Sequence, residues 1–412
     1  MSETPKAHAD AVAEPRRIAG FHPNVLALGV TSFFTDLSTE MLIPVMPLFV
    51  TVTLGASLAS LGVIEGVAEA TASLLRLVSG RLGDAPARRK PLVVAGYSLS
   101  GVCKTAMAAA SVWPVMLLLR FGDRVGKALR NPPRDALLAD SSSEADRGRT
   151  FGLHRAMDTL GAAVGPLVAW ALLRRWSALG AEGYRRIFMV SALPALLAVI
   201  ALVVFVRPPV PSAPKASAPA PRAPLGDAFR RFVAVDALFQ LGNSSTAFLL
   251  LRAERVGFDA GGVALVYLLH NLIAAVLALP LGGLSDRIGR RPLLMTGYLL
   301  YALAYGIAAF APSRTGAVIA FVILAVHVAL VDGQARSLVA DLVPRERRAS
   351  AFGRYHAAVG LALLPASLIA GQLWQRVGGA APFAFGATCA LAAALMFAWS
   401  LPAHREHEAR HA

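Results

Sequence analysis

The sequence predicts an all-α membrane protein with twelve transmembrane helices, arranged as two repeats of six helices. Three observations lead to this fold class. Apolar runs of about 18 or more residues recur along nearly the whole chain, two sequence blocks are repeated at one spacing, and a proline-rich segment separates the repeats. A chain of 412 residues with 56% hydrophobic and only 16% charged residues is too apolar for a single soluble domain.

Apolar runs bounded by turn signals give the positions of the helices. Each helix needs about 20 apolar residues to cross about 30 Å of hydrocarbon, so a chain of this length accommodates roughly twelve of them. They form an N-terminal bundle at 24–206 and a C-terminal bundle at 227–402, with short tails at 1–23 and 403–412. The predicted helices lie near 25–53, 58–82, 91–110, 113–138, 148–173, 185–206, 228–251, 261–284, 293–311, 315–341, 348–374 and 382–401.

A segment rich in proline and alanine, at 207–226, lies between the two bundles. Its composition cannot build a core and predicts an extended linker. Basic residues are concentrated in this segment and in the other even-numbered loops, which places those loops and both tails in the cytoplasm. Compact loops and an Ala- and Arg-rich composition favour the cytoplasmic (inner) membrane of a bacterium. The loop between helices 5 and 6 disagrees with this orientation, since it carries Arg174, Arg175, Arg185 and Arg186.

The formal net charge of +15 is spread over these loops rather than gathered on one soluble segment. It therefore indicates orientation in a lipid bilayer and not nucleic-acid binding. Lys127, Arg130 and Arg134 near the end of helix 4 fit this pattern as anchors at lipid headgroups. Alternatively, they attract anionic solutes to an entrance.

Two sequence blocks recur in the second half of the chain. The block GRLGDAPARRKPLVVAGY at 80–97 matches GGLSDRIGRRPLLMTGY at 282–298, and 136–152 matches 337–353. Both pairs share a spacing of about 201 residues, which chance matches would not do. A six-helix unit used twice, with a cavity between the copies, is typical of a rocking transporter.

These blocks resemble the loop signatures of the major facilitator superfamily, a family of membrane permeases, and the resemblance extends over nearly the whole chain. It implies the superfamily fold and a gating role for the loops after helices 2 and 8. Asp140 and Asp341, equivalent in the repeat, are then expected to pair with Arg89 or Arg291 and to hold one state closed. Ala85 and Ala87 replace the usual Arg and Gly, which implies a weaker charge lock at the first loop. The implied gating residues are Gly80, Asp84, Arg88, Arg89, Asp140, Gly282, Asp286, Arg287, Gly289, Arg290, Arg291 and Asp341.

Helices 4 and 5 carry two further similarities to the superfamily. Arg120 stands where the helix 4 signature has an arginine that is often tied to proton coupling, although Arg124 replaces the first glycine of that signature. Gly161, Gly165 and Pro166 on helix 5 resemble the motif that the superfamily associates with antiporters. Small residues at this spacing followed by proline also serve plain helix packing and kinking.

Charged residues lie at membrane depth in the N-terminal half, where they are costly and indicate function. Asp36 and Glu40 share one face of helix 1, and Glu65 and Glu69 share one face of helix 2. A carboxylate that alternates between a closed and an open cavity changes its affinity for a proton. We expect proton coupling or substrate binding by Asp36, Glu40, Glu65, Glu69, Lys104, Arg120, Asp123 and Arg124. Fixed structural pairs, such as Asp123 with Lys104 or Asp36 with Arg120, are the alternative.

The membrane-depth polar residues of the C-terminal half are mostly neutral. Such groups suit orientation of a polar substrate in the cavity. For each of them, satisfied hydrogen bonding between helices is the alternative. These residues are Asp236, Gln240, Asn243, His270, Asn271, His327 and Asp332.

The sequence contains no phosphate-binding Walker pattern, no metal-ligand spacing and no nucleophile elbow, so it predicts neither an enzyme nor a bound cofactor. Gradient-driven transport remains. We expect a monomeric proton-coupled antiporter, with sodium as the other candidate ion, that exports a small organic molecule by alternating access. A proton-linked importer of a polar metabolite or siderophore is one alternative, and a non-transporting membrane receptor on the same fold is another.

Overall fold

The computed structural model describes residues 18–82, 86–142, 146–207, 225–344 and 347–400. Within these ranges the chain is helical throughout apart from short turns. A π-helical turn covers Phe49–Thr53, and single 3-10 turns cover Met107–Ala109 and Ser177–Leu179. The helices are α1 (Pro23–Glu40), α2 (Met46–Leu48), α3 (Leu58–Leu82), α4 (Pro86–Ala106), α5 (Trp113–Asp140), α6 (Arg147–Arg175), α7 (Ala181–Val190), α8 (Ala192–Phe205), α9 (Asp227–Gly242), α10 (Thr246–Arg255), α11 (Ala260–Ile288), α12 (Arg290–Phe310), α13 (Arg314–Asp341), α14 (Arg348–Arg376) and α15 (Ala381–Ser400).

These helices make twelve membrane crossings, which confirms the predicted fold class. Among the described residues, nine crossings are long and apolar enough to be recognised by composition alone. The other three are α1 with α2, α5, and α9 with α10. Polar and charged side chains make α1 and α5 less apolar, while α9 and α10 are each too short. The crossings that composition alone does not recognise are therefore the ones that carry most of the candidate site.

The first crossing is broken in its second half, whereas the sequence predicted one helix over 25–53. α1 ends at Glu40, a turn covers 41–45, and a short α-helical segment leads into the π-helical turn. Pro44 and Pro47 explain the break, because proline supplies no backbone N–H and cannot continue the hydrogen-bond ladder. Glu40 therefore lies at a helix end inside the membrane.

The seventh crossing is also broken, whereas the sequence predicted one helix over 228–251. α9 ends at Gly242, and Asn243 leaves the helical conformation while its side-chain amide donates to Gln240 Oε1 at 2.8 Å. Ser245 caps the next helix, since its hydroxyl accepts from the Ala247 N–H. Polar side chains near a helix break compete with the backbone for hydrogen bonds. The break lies in the wall of a cavity, where irregular backbone is tolerated in a membrane protein.

The two six-helix halves meet along α3 with α14 and along α6 with α11. We call the membrane face where α8 ends and α9 begins the linker face, and the opposite one the far face. Gly62 and Gly371 allow close approach near the far face: a Cβ on Gly62 would lie 2.4 Å from the carbonyl oxygen of Ser367. Gly360, nearer the middle of α14, lies against Ser73 of α3. Asn271 of α11 donates to the carbonyl oxygen of Ala162 on α6 at 3.1 Å.

These contacts close the two halves on the far face. The Ala59 N–H donates to Gln375 Oε1 there at 3.2 Å, across the two halves. A shallow pocket of about 560 Å³ lies over the closure and is lined from both halves, by Thr51 and Leu58 on one side and by Arg255 and Trp374 on the other. Any motion that opens the far face must separate these groups.

Candidate functional site

A cavity of about 440 Å³ lies between the two halves, beneath the far-face closure. Its N-terminal wall carries charged side chains, and its C-terminal wall carries hydroxyl and amide groups. This distribution matches the contrast between the halves seen in the sequence. The lining residues are Ile43, Met46, Pro47, Glu65, Glu69, Arg120, Arg124, Lys127, Gln240, Asn243, Ser244, Ser245, Thr246, Ala247, Tyr267, Val359, Leu363 and Ser367.

The charged wall is an ion-pair cluster between α3 and α5. Arg120 lies 3.4 Å from a Glu65 carboxylate oxygen and 3.6 Å from Asp123. Arg124 lies 3.4 Å from Asp123 and 3.9 Å from Glu69. The side chains of Arg120, Arg124, Glu65 and Asp123 are almost fully buried, whereas the side chain of Glu69 is 38% exposed. Buried charges are tolerated when they are paired in this way, and Glu69 is the acid of the cluster that solvent reaches most easily.

The structural pairs considered from the sequence are not the ones formed. Among the described residues, Asp123 pairs with the two arginines and accepts a hydrogen bond from Ser100, not from Lys104. Buried Lys104 donates instead to Thr39 on α1 at 3.0 Å. Lys127 lines the cavity and so lies deeper than the headgroup position expected for it.

Asp36 and Glu40 do not line the cavity, because the side of α1 that carries them packs against α6. A Cβ on Gly161 would lie 3.0 Å from the Asp36 Cβ, and a Cβ on Gly165 would lie 2.6 Å from the Glu40 Cβ. The glycines of the antiporter-like motif therefore bring α6 against the two acids, while Pro166 lies inside a continuous α6. Only a residue without a side chain permits this approach.

Two acids of the N-terminal half accept hydrogen bonds from the C-terminal half. Tyr267 on α11 donates to Glu40 Oε2 at 2.9 Å, and Asn271 one turn further donates to the same atom at 3.4 Å. Ser245, at the break between α9 and α10, donates to Glu65 Oε2 at 2.9 Å. Hydrogen bonds to ionised acceptors are about twice as strong as neutral ones. These contacts join the halves through carboxylates, and Tyr267 connects Glu40 to the cavity wall.

The polar residues of the C-terminal half divide into two groups. Gln240 and Asn243 line the cavity. Asp236, His270 and His327 do not: Asp236 accepts from Tyr298 at 2.9 Å, and each histidine Nδ1 lies against a backbone carbonyl oxygen of a neighbouring helix. Their polar atoms serve helix packing, which was the alternative considered for them. The side chain of Asp332 lies outside the described residues.

The gating residues are described only in part. Arg89 contacts Asp140 within the N-terminal half, and Arg290, rather than Arg291, lies 2.9 Å from Asp341. Arg291 is stacked over the Phe397 ring at 5.6 Å. Gly289 adopts φ of 90° between α11 and α12, a conformation that favours glycine. Arg88 is exposed on α4. Asp84 lies outside the described residues. The structure describes only the helical backbone at four others, which are Gly80, Gly282, Asp286 and Arg287.

Sequence reasoning missed Ser245 and Tyr267, which lie more than a hundred residues from their acidic partners. It also missed Asp158 and His154 on α6. The sequence does contain a signal for the latter two, because a histidine and an acid four residues apart share one face of an apolar helix. Asp158 contacts Ser32 on α1, so the face they share is the one that meets the acids of α1.

Comparison with known proteins assigns the family. The sequence model of the Major Facilitator Superfamily matches residues 28–252 and 232–412. The chain belongs to the major facilitator superfamily. A transporter of this superfamily from Methanocaldococcus jannaschii, with no assigned substrate, is 32% identical over 90% of this chain and 94% of its own length. The multidrug resistance protein MdtH of Aeromonas hydrophila is 26% identical over 86% of each chain.

Solved structures of the superfamily share the fold. A POT family transporter in complex with 5-aminolevulinic acid superposes with a TM-score of 0.78 at 13% identity, covering 93% of this chain and 97% of the other. Membership in the superfamily makes the protein a multi-pass membrane transporter of a small molecule and not an enzyme. The cavity between the halves is the place where such a molecule can bind.

Proposed function

We propose that the protein is a proton-coupled antiporter that exports a small organic molecule by alternating access. The observation that carries this proposal is the hydrogen bond from Tyr267 to Glu40. Tyr267 lies in the cavity wall of the C-terminal half, and Glu40 is a titratable group of the N-terminal half. Loss or gain of one proton at Glu40 therefore acts on the substrate cavity and on the closure of the far face together.

Alternating access follows from the way the halves are joined. In the described conformation the far face is closed by α3 against α14 and by α6 against α11. Opening that face breaks the bonds from Tyr267 to Glu40 and from Ser245 to Glu65. A protonated carboxyl is a weaker acceptor than a carboxylate, so protonation of Glu40 or Glu65 favours separation of the halves.

Antiport requires that binding of a proton weakens binding of the substrate, and the reverse. A substrate that contacts Tyr267 and the charged wall favours the deprotonated acids, because their hydrogen bonds hold that wall in place. Proton entry then weakens substrate binding, which is the competition that an exporter needs. The contact of Gly161 and Gly165 with Asp36 and Glu40 supports this proposal, since the antiporter-like motif adjoins the acids.

The relatives add support for export. MdtH, similar over 86% of the chain, is described as a multidrug resistance protein, and MdtG of Klebsiella pneumoniae, similar over 41%, has the same description. We extend that description to this chain as efflux of an organic molecule. Basic residues in the linker-face loops support placing the linker face and both termini in the cytoplasm, with bundles at 24–206 and 227–402.

The test is a ligand screen by thermal stability of the detergent-solubilised protein. Cationic drugs, organic acids, sugars and siderophores are compared at about pH 6 and about pH 8, for the wild type, Asp36→Asn and Glu40→Gln. We expect one ligand class to stabilise the wild type more at the higher pH, and this difference to shrink in the two variants. Glu182→Gln, an exposed acid on α7, is the matched control and retains the difference.

Two outcomes contradict the proposal. Stabilisation that strengthens at the lower pH indicates proton-linked import instead. If a ligand stabilises the wild type and both variants equally at the two pH values, then Asp36 and Glu40 do not couple proton binding to substrate binding.

A further inference from the structure

A line of polar side chains, four of them titratable, runs along the contact between α1 and α6. On α1, Ser32, Asp36 and Glu40 follow one another at four-residue intervals and share one face. On α6, Asp158 contacts the Ser32 hydroxyl, and the His154 Nδ1 lies 3.5 Å from Asp158 Oδ2. We call His154, Asp158, Ser32, Asp36 and Glu40 the α1–α6 column.

The column runs from near the linker face to the cavity wall. With a rise of about 1.5 Å per residue, His154 lies about 10 Å from the linker-face end of α6 and Asp158 about 16 Å. On α1, Asp36 lies about 20 Å and Glu40 about 26 Å from the same face. Glu40 then contacts Tyr267, which lines the cavity. The column therefore reaches the cavity without passing through it.

His154 is the group at the outer end of the column. Its side chain is only 6% exposed, and its Nε2 atom has no hydrogen-bond partner among the described residues. Phe151 and Arg155, on either side of it along α6, are exposed. An imidazole with one nitrogen on a carboxylate and the other unpartnered can accept a proton at one atom and release a proton at the other.

The charges around the column come mainly from α5. Helix α8, which packs along α1, contributes no titratable side chain, and α11 contributes Tyr267 at Glu40. The basic side chains around the column keep Asp36 and Asp158 from being isolated anions in the membrane. The surrounding charged groups are Lys127, Arg130, Arg134 and Asp135 on α5 and Arg155 on α6.

We infer that His154 and Asp158 carry protons between the linker face and the Asp36 and Glu40 pair, along a path separate from the substrate cavity. This inference rests on the proposed proton coupling and adds the route. A proton binds His154 Nε2, and the proton on Nδ1 passes to Asp158 Oδ2. The ring is left neutral with its proton on Nε2. It returns to the starting tautomer when Asp158 gives a proton back to Nδ1 and Nε2 releases its proton to water.

The second half of the path uses the Ser32 hydroxyl. Asp158 gives its proton to Ser32 Oγ while the Ser32 hydroxyl, turned toward Asp36, gives its own proton to that carboxylate. Asp36 and Glu40 are one helical turn apart, a distance that a bridging water spans. Release toward the linker face follows the same steps in reverse, so no atom other than hydrogen changes partners.

The experiment measures protonation directly and needs no substrate. Full-length protein in liposomes of phosphatidylethanolamine and phosphatidylglycerol is shifted from about pH 8 to about pH 5 while the infrared carbonyl band of protonated carboxyl groups is followed. The part of this band that is missing in Asp36→Asn and in Glu40→Gln comes from protonation of these two acids, which we call the coupling pair. We expect Asp158→Asn and His154→Phe to slow the growth of that part by about 10²-fold without changing its final amplitude.

Two further variants separate a relay from a structural role. His154→Ala is expected to regain its rate when imidazole is added, which a packing defect would not do. Asp135→Asn changes a charge near Asp158 without interrupting the column, and it is expected to keep the wild-type rate.

The possible failures are distinct. An unchanged rate in both Asp158→Asn and His154→Phe overturns the relay and leaves proton coupling standing. A wild-type band with no part sensitive to Asp36→Asn or Glu40→Gln removes the coupling pair, and with it the relay. A slow rate in His154→Ala that imidazole does not restore also overturns the relay.

Discussion

The acids of this protein could be found from the sequence, but their partners could not. Asp36, Glu40, Glu65 and Glu69 interrupt apolar helices at four-residue spacing, and such residues carry a large energetic cost in a membrane. Tyr267 has no feature that distinguishes it from an ordinary core tyrosine. Its role depends on how α11 is placed against α1, which no local pattern encodes.

Replacing Tyr267 by phenylalanine tests the connection between the halves. Tyr267→Phe removes the hydroxyl that donates to Glu40 and leaves the ring in place. A hydrogen bond to a charged group contributes about 2 kcal/mol, so the equilibrium should shift toward the open far face by a factor of roughly 30. Distances between spin labels at Thr51 and Arg255, which lie on opposite sides of the far-face pocket, measure this shift.

Tyr184→Phe is the control for that substitution. Tyr184 is half-buried on α7, and within the described part of the chain its hydroxyl forms no hydrogen bond. The control should give the wild-type distance distribution. Identical distributions for Tyr267→Phe and wild type would mean that the bond to Glu40 does not hold the far face closed.

At the scale of helices, the sequence predicts position well and continuity poorly. Apolar runs read together with their flanking turn signals located the crossings, because burial in lipid demands long apolar runs. It missed the breaks after Glu40 and Gly242, because the flanking segments remain apolar enough to continue a predicted helix. The pairing of α1 with α6 was equally hidden, although the glycines that permit it were visible at Gly161 and Gly165.

Gly165→Ala tests whether this helix contact is as close as the structure has it. The new Cβ would lie 2.6 Å from the Glu40 Cβ and 2.9 Å from the Met41 backbone nitrogen. Overpacking of this kind costs about 1–3 kcal/mol of unfolding free energy. Unfolding by sodium dodecyl sulfate in mixed micelles measures the loss.

Gly152→Ala lies on the same helix and is the matched control. Its Cβ would have nothing within 4 Å, so the better helix propensity of alanine should leave stability unchanged or raise it by about 0.5–1 kcal/mol. Equal stabilities for the two variants would refute close packing of α6 on α1.

At the scale of the whole molecule, the duplicated sequence blocks predicted the two halves, and the family assignment confirms the transporter fold. The two copies of the repeat line the cavity with different side chains. After duplication the N-terminal copy carries the ion-pair cluster, while Gln240 and Asn243 give the C-terminal copy a neutral cavity wall. The conformation itself was not predictable, since either face can close with the same sequence.

Gly371→Ala tests the closure between the halves. Its Cβ would lie 2.5 Å from the carbonyl oxygen of Leu58 and 3.1 Å from the Ala59 Cα, across the contact of α14 with α3. The clash disfavours the closed far face, so a cysteine at Thr51 should react faster with a maleimide reagent that cannot cross the membrane. Native Cys103 and Cys389 are both buried, which keeps the background low.

Gly306→Ala on α12 serves as the comparison for Gly371→Ala. A Cβ there has nothing within 4 Å, and labelling at Thr51→Cys should match that of the parent. If Gly371→Ala labels no faster than Gly306→Ala, then α3 and α14 do not form the far-face gate.

The ion-pair cluster on α3 and α5 has an electrical consequence. Glu65, Glu69 and Asp123 contribute three negative charges to the N-terminal half, and Arg120, Arg124 and Lys127 of the same cavity wall contribute three positive charges. Rocking of this half therefore carries these six charges across the field as a neutral body. A potential of 100 mV acts with about 2.3 kcal/mol on each net charge that crosses the membrane, and on a balanced cluster it has almost no effect. Under the proposed proton coupling, membrane voltage drives this carrier through the protons that enter and leave it, and the charge cluster itself adds almost no voltage dependence to the reorientation of the protein.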